Sequence, residues 1–274
     1  MPDLFLKTTF ARCTHNRSPV INVHMKKTLY CNNIRHYATI DSTNAAAEKW
    51  LAQERPPEGS VVLADHQERG KGIGTNSWES ERGSNLLLSM ILYPTFLPAH
   101  QQFMLNKVLS LAVHQCVTSQ LPDHETRIKW PNDVYVGKNK IAGILTRNTI
   151  TGSSLDVTIA GVGLNVNQTN FPVKIPNPVS LKIASGKDFD LEQVLQNLLK
   201  AIEHFYNLLY EGHFEAIDEQ YLRVLLNYKE SATYQAGQER FAGRITGVDN
   251  FGHLMMQIGD KIKTFDMKEI VFLF

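Results

Sequence analysis

Apolar positions recur along this chain with two periods, and together they predict alternating helices and strands. Ser42 is placed to cap a helix running through Ala45, Ala46, Ala47 and Trp50. Met104, Val108, Leu111 and Ala112 fall at helical spacing, as do Leu191, Val194, Leu195, Leu198, Ile202, Phe205 and Leu209. Asp190 with Gln193 makes a capping-box-like start for the second of these stripes, which is expected to pack on a central sheet. Strands are predicted over Ser60 to Ala64, Leu86 to Leu92 and about Asp156 to Gly163. Val134 to Val136 and Ile141 to Leu145 read as a hairpin around Gly137, Lys138 and Asn139. After about Ser231 the texture changes to short strands divided by Gly237, the Asn250-Phe251-Gly252 turn and Gly259-Asp260, which predicts a small β barrel appended to an α/β body.

Composition narrows the class of protein. At 274 residues with 43% hydrophobic content the chain has material for a real core, in one large domain or two. The 28 Lys plus Arg against 27 Asp plus Glu create no global field for nucleic acid or an anionic membrane, so any phosphate site must be local. The longest apolar run, Leu86 to Leu92 around Ser89, is far short of the ~20 residues of a membrane helix. Cys13, Cys31 and Cys116 are scattered, with no C-x-x-C spacing, which argues against a disulfide framework or a structural zinc and fits a reducing cytosol. The first 24 residues carry Lys7, Arg12 and Arg17 with Asp3 as their acid. They read either as a weak transit peptide or as a frayed, disordered leader ahead of a start at Met25.

Two segments carry candidate chemistry. In Lys129-Trp130-Pro131-Asn132-Asp133 and the following hairpin, Lys129, Asp133 and Lys140 are expected to converge at one end of the sheet. Two ammonium groups near a carboxylate suit a polyanion with a metal ion, since Lys neutralises phosphate and Asp can hold Mg²⁺. The same segment also reads as an ordinary hairpin with solvated lysines. Residues 65 to 85 form a long polar connection containing Gly70, Lys71, Gly72, Ile73, Gly74, Thr75, Asn76, Ser77 and Trp78. It satisfies neither the P-loop nor the dinucleotide fingerprint, but connections of this length are often functional, and glycine allows backbone to approach a ligand. Gly161-Val162-Gly163-Leu164-Asn165 is similar, with Asn165 offering both donor and acceptor.

Taken in order, Asp41-Ser42-Thr43-Asn44, the glycine loop ending in Trp78, Ser84-Asn85-Leu86, KWPND at 129 to 133, KIAGIL at 140 to 145 and GVGLN at 161 to 165 resemble the biotin protein ligase family over roughly residues 28 to 274. The pairing of KWPND with K-x-A-G-I-L is the specific part. The resemblance implies an α+β fold: a mixed central sheet with packed helices, class II synthetase-like as in biotin–lipoyl ligases, over 25 to 230, and an SH3-like β barrel over 231 to 274. It looks like the short form, without an N-terminal DNA-binding domain.

What the resemblance implies for chemistry is an ATP-dependent ligase that makes biotinyl-5′-AMP and passes biotin to a lysine of a biotin carboxyl carrier domain, with Mg²⁺. By motif position, Lys140, Asp133 and Lys129 would be catalytic, with Asp133 near the metal and the incoming amine. Ser42, Thr43, Asn44 and Gln67 would surround the ureido ring, with Lys71, Gly72, Ile73, Lys140 and Gly143 completing the biotin site. Lys71, Asn76, Trp78, Lys129, Asn132, Lys140 and Asn165 would hold ATP or the adenylate. Many family members carry basic residues where this chain has Lys71, Ile73 and Asn76, and this departure bears on retention of the adenylate. The implied partner is a carrier domain, with no nucleic acid or membrane, for a cytoplasmic monomer or homodimer. The alternatives are a lipoate or octanoate ligase of similar fold and a noncatalytic adenylate-binding regulator.

Overall fold

The computed structural model describes Lys27, Leu29 and residues 31–74 and 76–273; the predicted leader, Cys13 and Met25 lie outside the described residues. The chain runs β1 (Ile34–Tyr37), α1 (Thr43–Gln53), β2 (Val61–Ala64), β3 (Asn85–Leu92), α2 (Phe103–Gln120), β4 (Thr126–Lys129), β5 (Asp133–Val136), β6 (Asn139–Thr151) and β7 (Ser154–Asn165). Helices α3 (Leu181–Ser185), α4 (Leu191–Tyr210) and α5 (Phe214–Val224) follow, then β8 (Ser231–Ala236), β9 (Glu239–Val248), β10 (Leu254–Ile258), β11 (Lys261–Phe265) and β12 (Val271–Leu273).

The first seven strands form one sheet in the order β1-β2-β3-β7-β6-β5-β4. Only β1 and β2 run parallel; the other neighbours are antiparallel, so the sheet is mixed, as expected. Strand β3 is buried along its whole length, because helices cover both faces. Its alternation assigns the faces: Leu86, Leu88, Met90 and Leu92 join the main core with α2 and α4, while Ile91 packs with Val62, Ile159 and α1 residues Ala47 and Trp50. Ser89 shares the face of Ile91 and therefore looks toward α1. The second sheet, β11-β10-β9-β8-β12, is wholly antiparallel and fits the expected small C-terminal β barrel.

Local rules explain most of these elements, with instructive departures. The stripe Val194, Leu195, Leu198, Ile202, Phe205 and Leu209 of α4 is buried, each side chain contributing at most about 1.5–3 kcal/mol. Asp190 caps this helix by accepting from the Glu192 amide at 2.9 Å, but Gln193 turns to Asn197 instead of reaching back, so only half of a capping box forms. Ser42 sits at the N-cap of α1 in extended conformation, yet its side chain makes no capping bond. The two sheets are tied by buried Trp130, whose indole Nε1 donates to the Gly252 carbonyl at 2.9 Å. A Cβ on Gly252, at φ 95°, would overlap the ring of Phe103, so the turn packs on the main core as well.

Candidate active site

The ends of β2, β4, β6 and β7 and the start of α1 surround a cleft of about 390 Å³, within the range of small-molecule sites. Thr43 and Asn44 are buried at the first turn of α1. Residues 40 and 41 pair with 67 to 69 through the Ile40–Gln67 bridge and the Arg69 amide on the Asp41 carbonyl at 2.9 Å, which sets Gln67 beside Thr43. Gln67 Oε1 accepts from the Thr43 amide at 2.7 Å and lies 3.0 Å from the Thr43 hydroxyl. With its carbonyl engaged, Gln67 has its Nε2 hydrogens left to offer a ligand. Asn44 lies flat on Gly161, where a Cβ would meet its Oδ1 at 2.5 Å. Its Nδ2 donates to the Leu145 carbonyl at 3.3 Å.

The loop after β2 is a small hairpin rather than an open nest. Lys71 bridges Ser77, the Gly72 amide donates to the Asn76 carbonyl at 2.8 Å, and the Trp78 amide donates to the Gly70 carbonyl at 2.9 Å. Gly72 is thus engaged within the loop. Trp78 swings its indole onto the sheet, over Gly143 and Gly163; a Cβ on Gly143 would stand 3.1 Å from its Cζ3, and one on Gly163 would overlap the ring. The two glycines form a flat floor for the indole. Trp78 Nε1 is buried without a partner among the described residues.

Strand pairing gathers the charged groups. Lys129 stands directly opposite Asp133 across the β4–β5 pair, so both side chains share a face. Asp133 faces Gly143 across β5–β6, and Lys140 is an odd number of residues from Gly143, which in a regular ladder would send it to the opposite face. The register shift between Val134 and Tyr135 inserts one residue on β6 and returns Lys140 to the Asp133 side. Lys140 Nζ then pairs with Asp133 Oδ1 at 2.7 Å and lies 5.6 Å from the Trp78 ring centroid. Lys129 Nζ sits over the Phe272 ring at 4.7 Å, and burial holds its pKa below that of an ordinary lysine, with Asp133 opposing the shift and Lys140 adding to it.

Of the residues singled out in the sequence, Ser42, Thr43, Asn44, Gln67, Lys71, Gly72, Ile73, Asn76, Trp78, Lys129, Asn132, Asp133, Lys140 and Gly143 line this cleft. Asn132 contributes backbone order too, its side chain donating to the Ile144 carbonyl and its own carbonyl accepting from the Ile144 amide at 2.9 Å. Asn165 is not among the lining residues: its Nδ2 donates to the Val179 carbonyl at 3.0 Å, and the buried side chain braces the segment that pairs with Lys140. Residues that sequence reasoning missed are Ser89, which orients Asn44, and Met267, Lys268 and Ile270 from the second sheet. The first is one serine inside an apolar strand, and the others lie far along the chain, so neither carried a local signal.

Residues 37–165 match the model of the biotin/lipoate A/B protein ligase family. The chain is 30% identical over 229 residues to the biotin–[acetyl-CoA-carboxylase] ligase of Paracoccus denitrificans, covering 80% of this chain and 92% of that protein. It is 28% identical over 246 residues to the bifunctional ligase/repressor BirA of Bacillus subtilis, covering 89% of this chain and 75% of BirA. Among solved structures, the biotin protein ligase of Aquifex aeolicus in complex with biotin and ATP superposes with a TM-score of 0.72 at 27% identity, covering 87% of this chain and 97% of that one. The fold is that of a biotin protein ligase. The chain belongs to the biotin/lipoate A/B protein ligase family.

Proposed function

We propose that this chain is an ATP-dependent biotin protein ligase whose catalytic body lies in residues 25–230, with the barrel of 231–274 closing one side of the cleft. The observation that carries the reading is the pairing, in one cleft, of a buried polar cluster at the start of α1 with the Lys140–Asp133 pair. A ureido ring presents two N–H donors and one strong acceptor, and burying it without partners would cost several kcal/mol, roughly. Asn44 and Gln67 supply an acceptor and donors of that kind, Asn44 held in place by Ser89 and Gln67 by Thr43 and the β2 loop. A flexible aliphatic acid such as lipoate needs no such cluster, which favours biotin over the lipoate alternative.

In the first half-reaction a biotin carboxylate oxygen bonds to the α-phosphorus of ATP as the bond to pyrophosphate breaks. The carboxylate is already ionised at neutral pH, so the protein's task is alignment and charge neutralisation. Lys140 is placed to hold first the biotin carboxylate and then the phosphate, and Lys129 adds a second, partly desolvated cation. In the second half-reaction a carrier lysine amine bonds to the acyl carbon and AMP leaves. Asp133 is the carboxylate in the cleft that can take the amine's proton.

Among the described residues no group of three metal-ligating side chains is present, and Asp133 is the lining carboxylate. That donor set fits Mg²⁺ only as ATP brings it, since this ion is commonly held by one or two carboxylates plus substrate phosphates. It would supply charge neutralisation on the phosphates, with Asp133 as its protein ligand. The chain's carrier partner is a biotin carboxyl carrier domain. Also among the described residues, no helix is long and apolar enough to cross a membrane.

The deciding experiment is incubation with ATP, Mg²⁺ and a carrier domain, with either biotin or lipoate, followed by mass spectrometry of the carrier. Modification with biotin alone is the expected result. Modification with lipoate and not biotin would replace this reading with the lipoate one.

A further inference from the structure

The loop over the cleft is poor in positive charge. Ile73 and Asn76 are neutral, and Lys71 is the cation of the stretch from Gly70 to Trp78. The turn between β11 and β12 brings another cation onto it. The Glu269 amide donates to the Asp266 carbonyl at 3.1 Å, closing a β-turn in which Lys268 takes φ 77°, in the left-handed region that lysine seldom adopts. Asp266 Oδ1 accepts from the Met267 amide at 2.6 Å, and Glu269 Oε2 accepts from the Asp266 amide at 2.7 Å, so both nearby carboxylates bind the turn's own backbone. Lys268 makes no ion pair with them or with any other described residue. Its Nζ instead rests on Gly74, at the tip of the loop, in space that a Cβ there would fill. It lines the same cleft as Lys129 and Lys140.

We propose that Lys268 is an adenylate-binding residue that latches the β2 loop over the acyl-adenylate, its ammonium supplying from the second sheet the phosphate-facing charge that Ile73 and Asn76 do not provide. The inference rests on the biotin-ligase reading above. An unpaired cation held in a strained turn, aimed at a glycine that leaves room for it, meets the adenylate phosphate only when the loop is down. Anchoring the barrel through Trp130 and Gly252 fixes where that cation stands. The latch is thus formed by two segments nearly two hundred residues apart in sequence, roughly, a separation that no local motif can express.

The test uses the full chain as wild type, Lys268→Ala and Lys268→Arg. Labelled biotinyl-AMP is formed in place from biotin and ATP with pyrophosphatase present, and its release into excess unlabelled adenylate is timed. Labelling of a noncarrier protein is followed in parallel by streptavidin blotting. Lys268→Ala should release the adenylate on the order of tenfold faster, as expected for one lost charge-assisted contact, and should label bystanders more. Single-turnover pyrophosphate formation should fall by less than release rises, and Lys268→Arg should restore retention. Release at the wild-type rate in Lys268→Ala, or a fall in pyrophosphate formation as large as the rise in release, overturns the latch alone. Failure of the wild type to form any biotinyl-AMP overturns the ligase reading and the latch with it.

Discussion

Ser89 Oγ lies 2.5 Å from Asn44 Oδ1 and 2.8 Å from Thr43 Oγ1, in a fully buried position on β3. Serine has one proton, and a carbonyl oxygen has none to give, so that proton goes to Asn44. The bond fixes which way the Asn44 amide points, with Nδ2 toward the Leu145 carbonyl. Ser89→Ala should therefore leave the fold intact but allow the amide to turn, raising the KM for biotin about tenfold with a much smaller change in the KM for ATP. Initial rates of pyrophosphate release with each substrate varied in turn measure this, and equal changes in both constants would show that Ser89 only fills the core.

Removal of Lys140 tests the centre of the site. In Lys140→Ala the cation that the proposed mechanism sets beside the reacting phosphate is gone and Asp133 loses its 2.7 Å partner. A loss of about 3 kcal/mol of transition-state stabilisation, or ~10² in rate, is expected for adenylation. Pyrophosphate release in a variant whose circular dichroism matches wild type is the measurement; a wild-type rate would remove Lys140 from the chemistry.

Lys129 predicts a pH dependence. Its pKa is lowered, first by burial, so its ammonium loses the proton at a lower pH than an ordinary lysine does. If the charged form serves the phosphate, adenylation is supported below that pKa and declines as pH rises through it. Lys129→Arg keeps its charge throughout, so its alkaline limb should extend to higher pH than that of the wild type. Measuring pyrophosphate release without carrier keeps the attacking amine out of the profile, and superimposable limbs would argue against a role for the Lys129 charge.

The glycine floor makes a steric prediction. A methyl group on Gly163 would overlap the indole of Trp78, with Cζ2 at 2.7 Å and Nε1 at 2.8 Å from the new carbon. Gly163→Ala should lift the indole off the sheet, seen as a change in tryptophan emission, and weaken biotin and ATP together by roughly the ~1–3 kcal/mol typical of an overpacked contact. Unchanged emission and affinity would show that the loop takes up the methyl without cost.

Much of this protein is legible in its sequence for definite physical reasons. The α2 and α4 stripes, strands β3 and β7 and the turn chemistry after Ser231 are signalled by the residues that form them. KWPND and KIAGIL mark the charged centre because their spacing is short and their residue types uncommon together. Strands β1 and β4, Ile34–Tyr37 and Thr126–Lys129, gave no such signal, since each is four residues long and mixes polar with apolar positions. Helix α5 buries only Ile217 and Tyr221 fully, too narrow a stripe to read.

The sequence by itself determined the candidate residues of the cleft and the sheet that bears them. Tertiary structure decided which way they face and what completes them. Lys140 reaches Asp133 because a bulge in β6 shifts its face, and a bulge is a property of the paired strands rather than of either one alone. Ser89 acts on Asn44 because β3 lies beneath the start of α1. Lys268 enters the site because the barrel docks through Trp130 and Gly252. Each is a contact between segments distant along the chain, and such contacts leave no local period for a sequence to display.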